Sequence, residues 1–446
     1  MLRYALLLSA GLAVAAFADD AKLAPTPPMG WNSWDAYGLT VTEADFKANV
    51  EVLKSLQPFG WNTAVIDEGW YMDDPLGAKL ADRKYQLDAH GLLMPSLGRF
   101  PSAANGAGLK PLGDWVHTQG LKFGVHVVRG IPKQAVDANL PIAGSNFRSA
   151  EAADSSDLCP WDDGNYGVKD NAAGHAYYDS MVKQYADWGV DYIKIDCIAD
   201  HPYKPVEIRQ VSEAIQHSGR AMVLSLSPGP TNILHAEEVG RLAQMWRIAD
   251  DSWDGWDFAP KDWPNGVLTG FKKLSEWHAY AKPGHWPDAD MLPFGSLTPH
   301  PGWGEPRESR LTPIETRTMF TLWAIARSPL ILGANLTKMD DGLKALLTNK
   351  AVIAVNQTAW ESYPVDGLKQ SDARIWVALV GPREQPYHYL AAFNLSDKAM
   401  TVTASWKEIG FKGRRLVELW SGKTKAAPAG VNIALPAHGS AIFRVD

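Results

Sequence analysis

The segment AYYDSMVKQYADWGVDYIKID, residues 176–196, decides the fold. Its first part, up to Gly189, has the composition and spacing of an amphipathic helix, and YIKID (192–196) is a short run of aromatic and β-branched residues that predicts a strand. A helix followed at once by a buried strand is the repeating unit of parallel α/β sheets. The same alternation recurs along residues 26–350.

Eight strand-like runs can be marked in that region, separated by helical stretches such as 42–56 and 315–327. They are MGWNSW (29–34), NTAVIDEG (62–69), LKFGVHVV (121–128), YIKID, AMVLSLS (221–227), MWRIAD (245–250), HWPDADM (285–291) and PLILG (329–333). Eight parallel strands close a (β/α)8 TIM barrel, which is the α/β fold that we predict. An open doubly wound sheet is the alternative, but no glycine-rich phosphate loop follows the first strand.

The region after residue 360 has a different pattern. Short β-rich runs are spaced by turn residues without helices between them, at 373–380, 388–396, 400–406, 414–422 and 439–446. This pattern predicts a C-terminal antiparallel β-sandwich domain. We therefore expect a signal peptide at 1–18, a catalytic barrel at 19–357 and a β-sandwich domain at 358–446.

The N-terminus and the composition limit the protein class. Residues 1–18 carry Arg3, a short apolar stretch and Ala16-x-Ala18, which predicts a cleaved secretory signal and a periplasmic or secreted protein. The apolar stretch is shorter than the roughly 20 residues that span a bilayer, so no stable membrane insertion is expected. A net charge of −7 without a basic run argues against a nucleic-acid partner.

Cysteine and histidine spacing carries further expectations. The 12 histidines show no metal-ligand spacing, so neither a metal nor another cofactor is expected. The two cysteines, Cys159 and Cys197, exclude a disulfide-rich scaffold, and either one bridge or two thiols is compatible with them.

Polar residues gather at the C-terminal ends of the predicted strands, where barrel enzymes place their active sites. Among them, Asp196 closes YIKID and Asp251 lies in MWRIADDSW (245–253), so both are interpreted as strand-end residues. Two carboxylates on separate strand ends suit glycoside hydrolysis, in which one attacks the anomeric carbon and the other protonates the leaving oxygen. The alternative is that each simply caps the following helix.

Five longer motifs occur in an order that resembles the α-galactosidases of glycoside hydrolase family 27. They are PPMGWNSWDAYG (27–38), VIDEGW (65–70), WGVDYIKIDC (188–197), GHWPDADMLPFG (284–295) and LWAIARSPLILG (322–333). The resemblance covers residues 25–357. It implies a retaining exo-glycosidase built from a (β/α)8 barrel and a C-terminal β domain, with an oligosaccharide or polysaccharide as substrate.

The resemblance also implies roles for particular residues. Its nucleophile motif K-x-D falls on Lys194 and Asp196, and a cation two residues earlier on the same strand face favours the ionised carboxylate. The family's acid/base follows an arginine by four positions, which gives Asp251 counted from Arg247. Asp250 is the competing choice for the acid/base.

Sugar contacts follow in the same way. Trp34 matches a tryptophan that lies against the sugar, Asp67 an acidic residue that holds the C4 and C6 hydroxyls, and Arg247 an arginine on the C2 side. Asp290 matches a position at the rim of the pocket.

Several pocket positions depart from the family pattern. Glu68 stands where the family has a second aspartate, His126 replaces a tyrosine, and Ser227 replaces a glutamate, with Ser225 on the same strand face. The longer Glu68 extends into the space of galactose's hydroxymethyl group, and L-arabinopyranose lacks that group. Cys197 directly follows the nucleophile, whereas the family's disulfide cysteine lies two positions after it, so a bridge to Cys159 and a buried thiol both stay open.

We therefore expect hydrolysis of terminal α-D-galactosyl residues by a two-aspartate double displacement. A β-L-arabinopyranosidase is the nearest alternative, followed by another exo-α-glycosidase such as an isomaltose-releasing dextranase. A carbohydrate-binding barrel without activity is the alternative from a different class.

Overall fold

The structure is a computed structural model that describes residues 23–76, 83–261, 263–298 and 304–446. Within these residues, eight parallel strands form one curled sheet. They are β1 (Met29–Asn32), β2 (Thr63–Ile66), β3 (Lys122–Val128), β4 (Tyr192–Asp196), β5 (Val223–Leu226), β6 (Met245–Arg247), β7 (Trp286–Asp288) and β8 (Leu330–Leu332). The predicted signal peptide lies outside the described residues.

The sheet closes on itself as a barrel. Its strand order is β7-β6-β5-β4-β3-β2-β1-β8, and β1 pairs in parallel with β2 on one side and β8 on the other. The ring is completed just after β7, where Leu292 bridges to Leu332 of β8 and its N–H donates to the carbonyl of Ile331 at 2.7 Å. The predicted (β/α)8 barrel is thereby confirmed.

Eight longer helices surround the strands. They are α1 (Glu43–Leu56), α2 (Lys110–Thr118), α3 (Ala172–Asp187), α4 (Pro205–Ser218), α5 (Ala236–Leu242), α6 (Val267–Trp277), α7 (Pro313–Ala326) and α8 (Lys350–Thr358), as counted over the described residues. Sequence sets their limits, as in α1, where Thr42 and Asp45 form a reciprocal capping box at 3.1 and 3.2 Å. Phe46, Val50 and Leu53 recur at helical spacing and are fully buried against the barrel.

The strands after α8 form two antiparallel sheets. The larger has the order β9-β10-β11-β16-β13-β14 and the smaller pairs β12 with β15. The strands are β9 (Ala359–Pro364), β10 (Ala373–Val380), β11 (Tyr387–Asn394), β12 (Met400–Ser405), β13 (Arg415–Glu418), β14 (Thr424–Ala426), β15 (Gly430–Leu435) and β16 (Ser440–Val445). Alternation along β10 explains the packing: Ile375 and Val377 pack toward the small sheet, whereas Trp376 and Ala378 join the barrel's core. The predicted β sandwich is confirmed.

Several observed strands are shorter than predicted. Strand β6 ends at Arg247, so Asp251 lies in the following loop, and β1 ends at Asn32, so Trp34 begins a short helix, Trp34–Tyr37. After β6, Asp251 accepts a hydrogen bond from Arg247 at 3.2 Å, and after β1 the backbone N–H of Trp34 donates to Asn32 Oδ1 at 2.8 Å. A small antiparallel sheet after β3, formed by Ile131–Pro132, Ala153–Leu158 and Asn165–Val168, was not predicted, because its longest strand, ADSSDL, is polar.

The remaining elements are short. The helices are Lys133–Asp137, Ser149–Ala152, Asp341–Leu347 and Trp406–Ile409, and the hairpin Ser296–Leu297 with Arg307–Glu308 follows β7. Among the described residues, no helix has both the length and the apolarity needed to cross a membrane.

Candidate active site

A polar cavity of about 330 Å³, here called the inner cavity, opens at the C-terminal ends of the barrel strands. Nine of the predicted site residues line it: Trp34, Asp67, Glu68, Lys194, Asp196, Ser227, Arg247, Asp251 and Asp290. They come from β1, β2, β4, β5, β6 and β7 or from the loops that follow those strands. The barrel therefore brings together side chains that are separated by more than 250 positions in the sequence.

Asp196 is held in its ionised form. One carboxylate oxygen accepts the N–H of Cys197 at 2.8 Å, and the other lies 3.3 Å from Nε2 of His126. Burial alone would raise the pKa of this carboxyl, but the His126 hydrogen bond and the charge of Lys194 hold the pKa below its usual value. Cys197 adopts a positive φ of 61°, a strained backbone that turns its N–H back onto the carboxylate.

Asp67 is a second ionised acceptor in the cavity wall. Lys194 Nζ donates to it at 2.9 Å and the Asn32 amide at 2.6 Å, and His126 Nε2 lies 3.9 Å away. Burial opposes ionisation, but the charges of His126 and Lys194 lower the pKa of Asp67 well below its usual range. Lys194 therefore acts on both carboxylates: it donates a hydrogen bond to Asp67, and its positive charge lowers the pKa of Asp196.

Glu68 is in the opposite state. Its carboxyl lies within hydrogen-bonding distance of the Asp162 carboxyl, and burial together with the nearby Asp162, Asp196 and Asp67 charges raises its pKa well above the ordinary value. Asp162 is itself fixed by the Tyr85 hydroxyl at 3.2 Å and by the N–H of Gly164 at 2.9 Å. A raised pKa favours the protonated carboxyl of Glu68, whose O–H can donate a hydrogen bond to a sugar hydroxyl.

Asp251 is placed by its neighbours in the loop after β6. Arg247 Nη2 donates to one carboxylate oxygen at 3.2 Å, and the indole N–H of Trp263 lies 3.4 Å from the other. Arg247 also pairs with Asp290 at 2.9 Å, and Asp290 accepts the N–H of Ser252 at 2.7 Å. Burial, together with the negative charge of the nearby Asp251, raises the pKa of Asp290 to about 7. About 40% of the Asp251 side chain is exposed, so it faces both the cavity and solvent.

A second, larger cavity of about 1030 Å³, here called the outer cavity, adjoins the first. Five residues line both cavities: Trp34, Trp161, Asp196, Asp251 and Trp253. Asp250 lines the outer cavity but not the inner one, and its carboxylate lies 3.5 Å from Nε2 of His201. The two cavities therefore meet at Asp196 and Asp251, which is where a glycosidic bond must lie to be cleaved by this pair.

Two predicted sugar contacts lie behind the cavity wall. Ser225 lies in β5, two residues before Ser227 and one layer deeper in the barrel, beside Lys194 of β4. His126 is fully buried beneath Asp196 and Asp67. Neither His126 nor Ser225 lines the inner cavity, and His126 instead contacts the carboxylates of Asp196 and Asp67.

The question left open for the cysteines has a structural answer. Cys159 and Cys197 form a disulfide with a separation of 38 residues. The bridge joins the end of β4 to the loop that carries Trp161 and Asp162. Arg129 braces the same region, because its Nε donates to the carbonyl of Cys197 at 2.6 Å while its guanidinium pairs with Glu207 at 2.8 Å.

Eight further residues line the inner cavity and had no predicted role. They are Asp35, Leu39, Arg83, Trp161, Asp162, Ser252, Trp253 and Met291. Asp35, Trp253 and Met291 lie within stretches already singled out in the sequence, so their position was a usable signal. Trp161 and Asp162 had none, because only the disulfide and the small sheet bring their loop to the cavity. No group of three or more potential metal ligands occurs among the described residues.

Comparison with known proteins agrees with this geometry. The family model described as Alpha galactosidase A matches residues 161–358, and that of the Alpha galactosidase C-terminal beta sandwich domain matches residues 370–445. A solved GH27 β-L-arabinopyranosidase from Geobacillus stearothermophilus is 38% identical, with a TM-score of 0.89 over 96% of this chain and 98% of that one. The chain belongs to glycoside hydrolase family 27. It is therefore a glycoside hydrolase.

Two relatives of lower sequence identity are named as alpha-galactosidases. Alpha-galactosidase A of Cellvibrio japonicus is 29% identical, covering 95% of this chain and 93% of its own length. An alpha-galactosidase of Oryza sativa subsp. japonica is 28% identical over 94% of this chain and 85% of its own length.

A second structure of the Geobacillus enzyme, a variant in complex with arabinose, again shows 38% identity and a TM-score of 0.89 over 97% and 99% of the two chains.

Proposed function

We propose that the protein is a retaining exo-glycosidase that removes terminal β-L-arabinopyranosyl residues. The observation that carries this proposal is Glu68, whose carboxyl group occupies the inner cavity beside Asp67 and is held there by Asp162. Glutamate is one methylene longer than aspartate, so it fills space that a hydroxymethyl substituent on the sugar ring would need. The similarity to the Geobacillus β-L-arabinopyranosidase supports the same substrate.

The proposed reaction is a double displacement. Asp196, kept ionised by His126 and Lys194, attacks the anomeric carbon, while Asp251 donates its proton to the departing oxygen. The bond to the leaving group breaks as the ester to Asp196 forms. The Asp251 carboxylate then takes a proton from water, whose oxygen attacks the anomeric carbon and releases Asp196, so the sugar leaves with its original configuration.

The surrounding residues bind the sugar. Asp67 accepts hydrogen bonds from hydroxyl groups, and Glu68 in its protonated form both donates and accepts. The guanidinium of Arg247 and the carboxyl of Asp290, which lie 2.9 Å apart, present further polar groups to the sugar. Trp34 adds an indole beside Asp196, an apolar face on which a pyranose ring can stack.

Hydrolysis of α-D-galactosides is the second candidate. It is favoured by the names of the relatives that are 28–29% identical and by the shared ring stereochemistry of the two sugars. The test is kcat/KM for p-nitrophenyl β-L-arabinopyranoside beside p-nitrophenyl α-D-galactopyranoside. The proposal predicts a higher value for the arabinoside, and a higher value for the galactoside would refute it.

A further inference from the structure

The outer cavity differs in chemistry from the inner one. Four tryptophans and three prolines form most of its wall: Trp34, Trp161, Trp253, Trp263, Pro160, Pro202 and Pro228. Trp161 is 41% exposed and Trp263 is 44% exposed. Large apolar side chains left open to solvent around a cavity are typical of a binding surface.

The polar groups of the outer cavity are few and already engaged. Apart from Asp196 and Asp251, its described lining offers Asp250 and His201, which lie 3.5 Å from each other. A sugar on the leaving-group side would bring several hydroxyl groups that need hydrogen-bond partners once water is displaced. The inner cavity meets that need through Asp67, Glu68, Lys194 and Arg247, whereas the outer wall is mostly indole and pyrrolidine.

The apolar wall begins at the point of bond cleavage. Trp263 donates its indole N–H toward Asp251 at 3.4 Å, and Trp161 and Trp253 line both cavities. A group attached to the departing oxygen therefore lies against aromatic side chains as soon as it extends beyond the Asp251 carboxyl.

We propose that the outer cavity is a binding site for an apolar aromatic or polycyclic aglycone. The substrates are then glycosides of hydrophobic alcohols or phenols in preference to glycosides of a second sugar. This inference rests on the proposed function, because it assigns the second half of the same substrate.

The test is the binding of 1-thioglycosides, which the enzyme cleaves too slowly to interfere with calorimetry. Methyl and benzyl 1-thio-β-L-arabinopyranosides are compared, with the 1-thio-α-D-galactopyranosides as a second series. Stacking the phenyl ring on indole surface is expected to make the benzyl compound bind about 10-fold more tightly than the methyl compound. A thio-linked disaccharide in which glucose takes the place of the benzyl group, and so occupies the outer cavity, is expected to bind more weakly than the benzyl compound.

Trp263→Ala and Leu158→Ala address the outer wall, since neither side chain lines the inner cavity. Both should bring the benzyl-to-methyl affinity ratio toward one. Tyr387→Ala removes an aromatic side chain that is 60% exposed on the C-terminal sheet and serves as the matched control, with the ratio unchanged.

Two results would overturn the inference in different ways. Equal affinities of the methyl and benzyl compounds, or tighter binding of the glucose-containing compound, would refute the apolar aglycone site and leave the sugar assignment standing. Failure of every thioglycoside in both series to bind would refute the proposed function, and the aglycone site with it.

Discussion

Replacing Glu68 with aspartate should move the enzyme toward galactosides. The substitution withdraws the carboxyl by about one C–C bond, roughly 1.5 Å, from the inner cavity. The space released is about that of one methylene, which is the difference that decides whether a hydroxymethyl group fits. One methylene in a sugar pocket is worth about 1–3 kcal/mol, so the galactoside-to-arabinoside ratio of kcat/KM should rise roughly 10- to 200-fold.

The assay is initial-rate hydrolysis of the two p-nitrophenyl glycosides by the wild type and the variant. Loss of the contact with Asp162 weakens both substrates alike, so the ratio isolates the steric effect. Glu68→Gln is the matched control, because it keeps the side-chain length and only replaces the titratable carboxyl with an amide. An unchanged ratio in Glu68→Asp, or an equal change in Glu68→Gln, would refute the steric explanation.

Three further predictions concern the catalytic pair and its support. Asp251→Ala should lose most activity and regain it when azide is added with an activated substrate, and the product should be a glycosyl azide of retained configuration. Asp250→Asn should stay active. The opposite pattern would exchange the roles of the two aspartates. Because the pKa of Asp196 is lowered, the nucleophile stays ionised in mild acid, and the acid limb of the kcat/KM profile should lie below the ordinary aspartate value of about 3.9; a limb above pH 5 would contradict this. Replacing Cys159 and Cys197 by alanine should lower the free energy of unfolding by about 3–4 kcal/mol, measured by denaturant titration, and a change below about 1 kcal/mol would exclude a closed bridge.

The barrel could be predicted because its strands are buried on both faces and therefore form short continuous apolar runs. Strand limits were harder, since Asp250 and Asp251 continue the pattern of MWRIAD although the backbone leaves the sheet after Arg247. The strands at 424–426 and 430–435 escaped detection because the residues of the first are exposed and the second buries only every other side chain. Exposed edge strands owe their existence to neighbouring strands more than to their own sequence.

The site was predictable as far as its residues follow strand ends. Asp67, Lys194 and Asp196 belong to that group. Trp161 and Asp162 do not, because their loop reaches the cavity through a disulfide and a small sheet that no local pattern indicates. The state of Glu68 was also out of reach, since it depends on contact with Asp162, a residue 94 positions away.

The assignment of Asp196 as the nucleophile can be tested directly by trapping the glycosyl-enzyme. The protein is incubated with an activated 2-deoxy-2,2-difluoro glycoside, in which fluorine slows hydrolysis of the ester, and the labelled peptide is identified by mass spectrometry. We predict one sugar ester on Asp196, with Asp196→Asn unlabelled. A label on Asp250 or Asp251, or an unlabelled enzyme that releases a sugar of inverted configuration, would contradict the account.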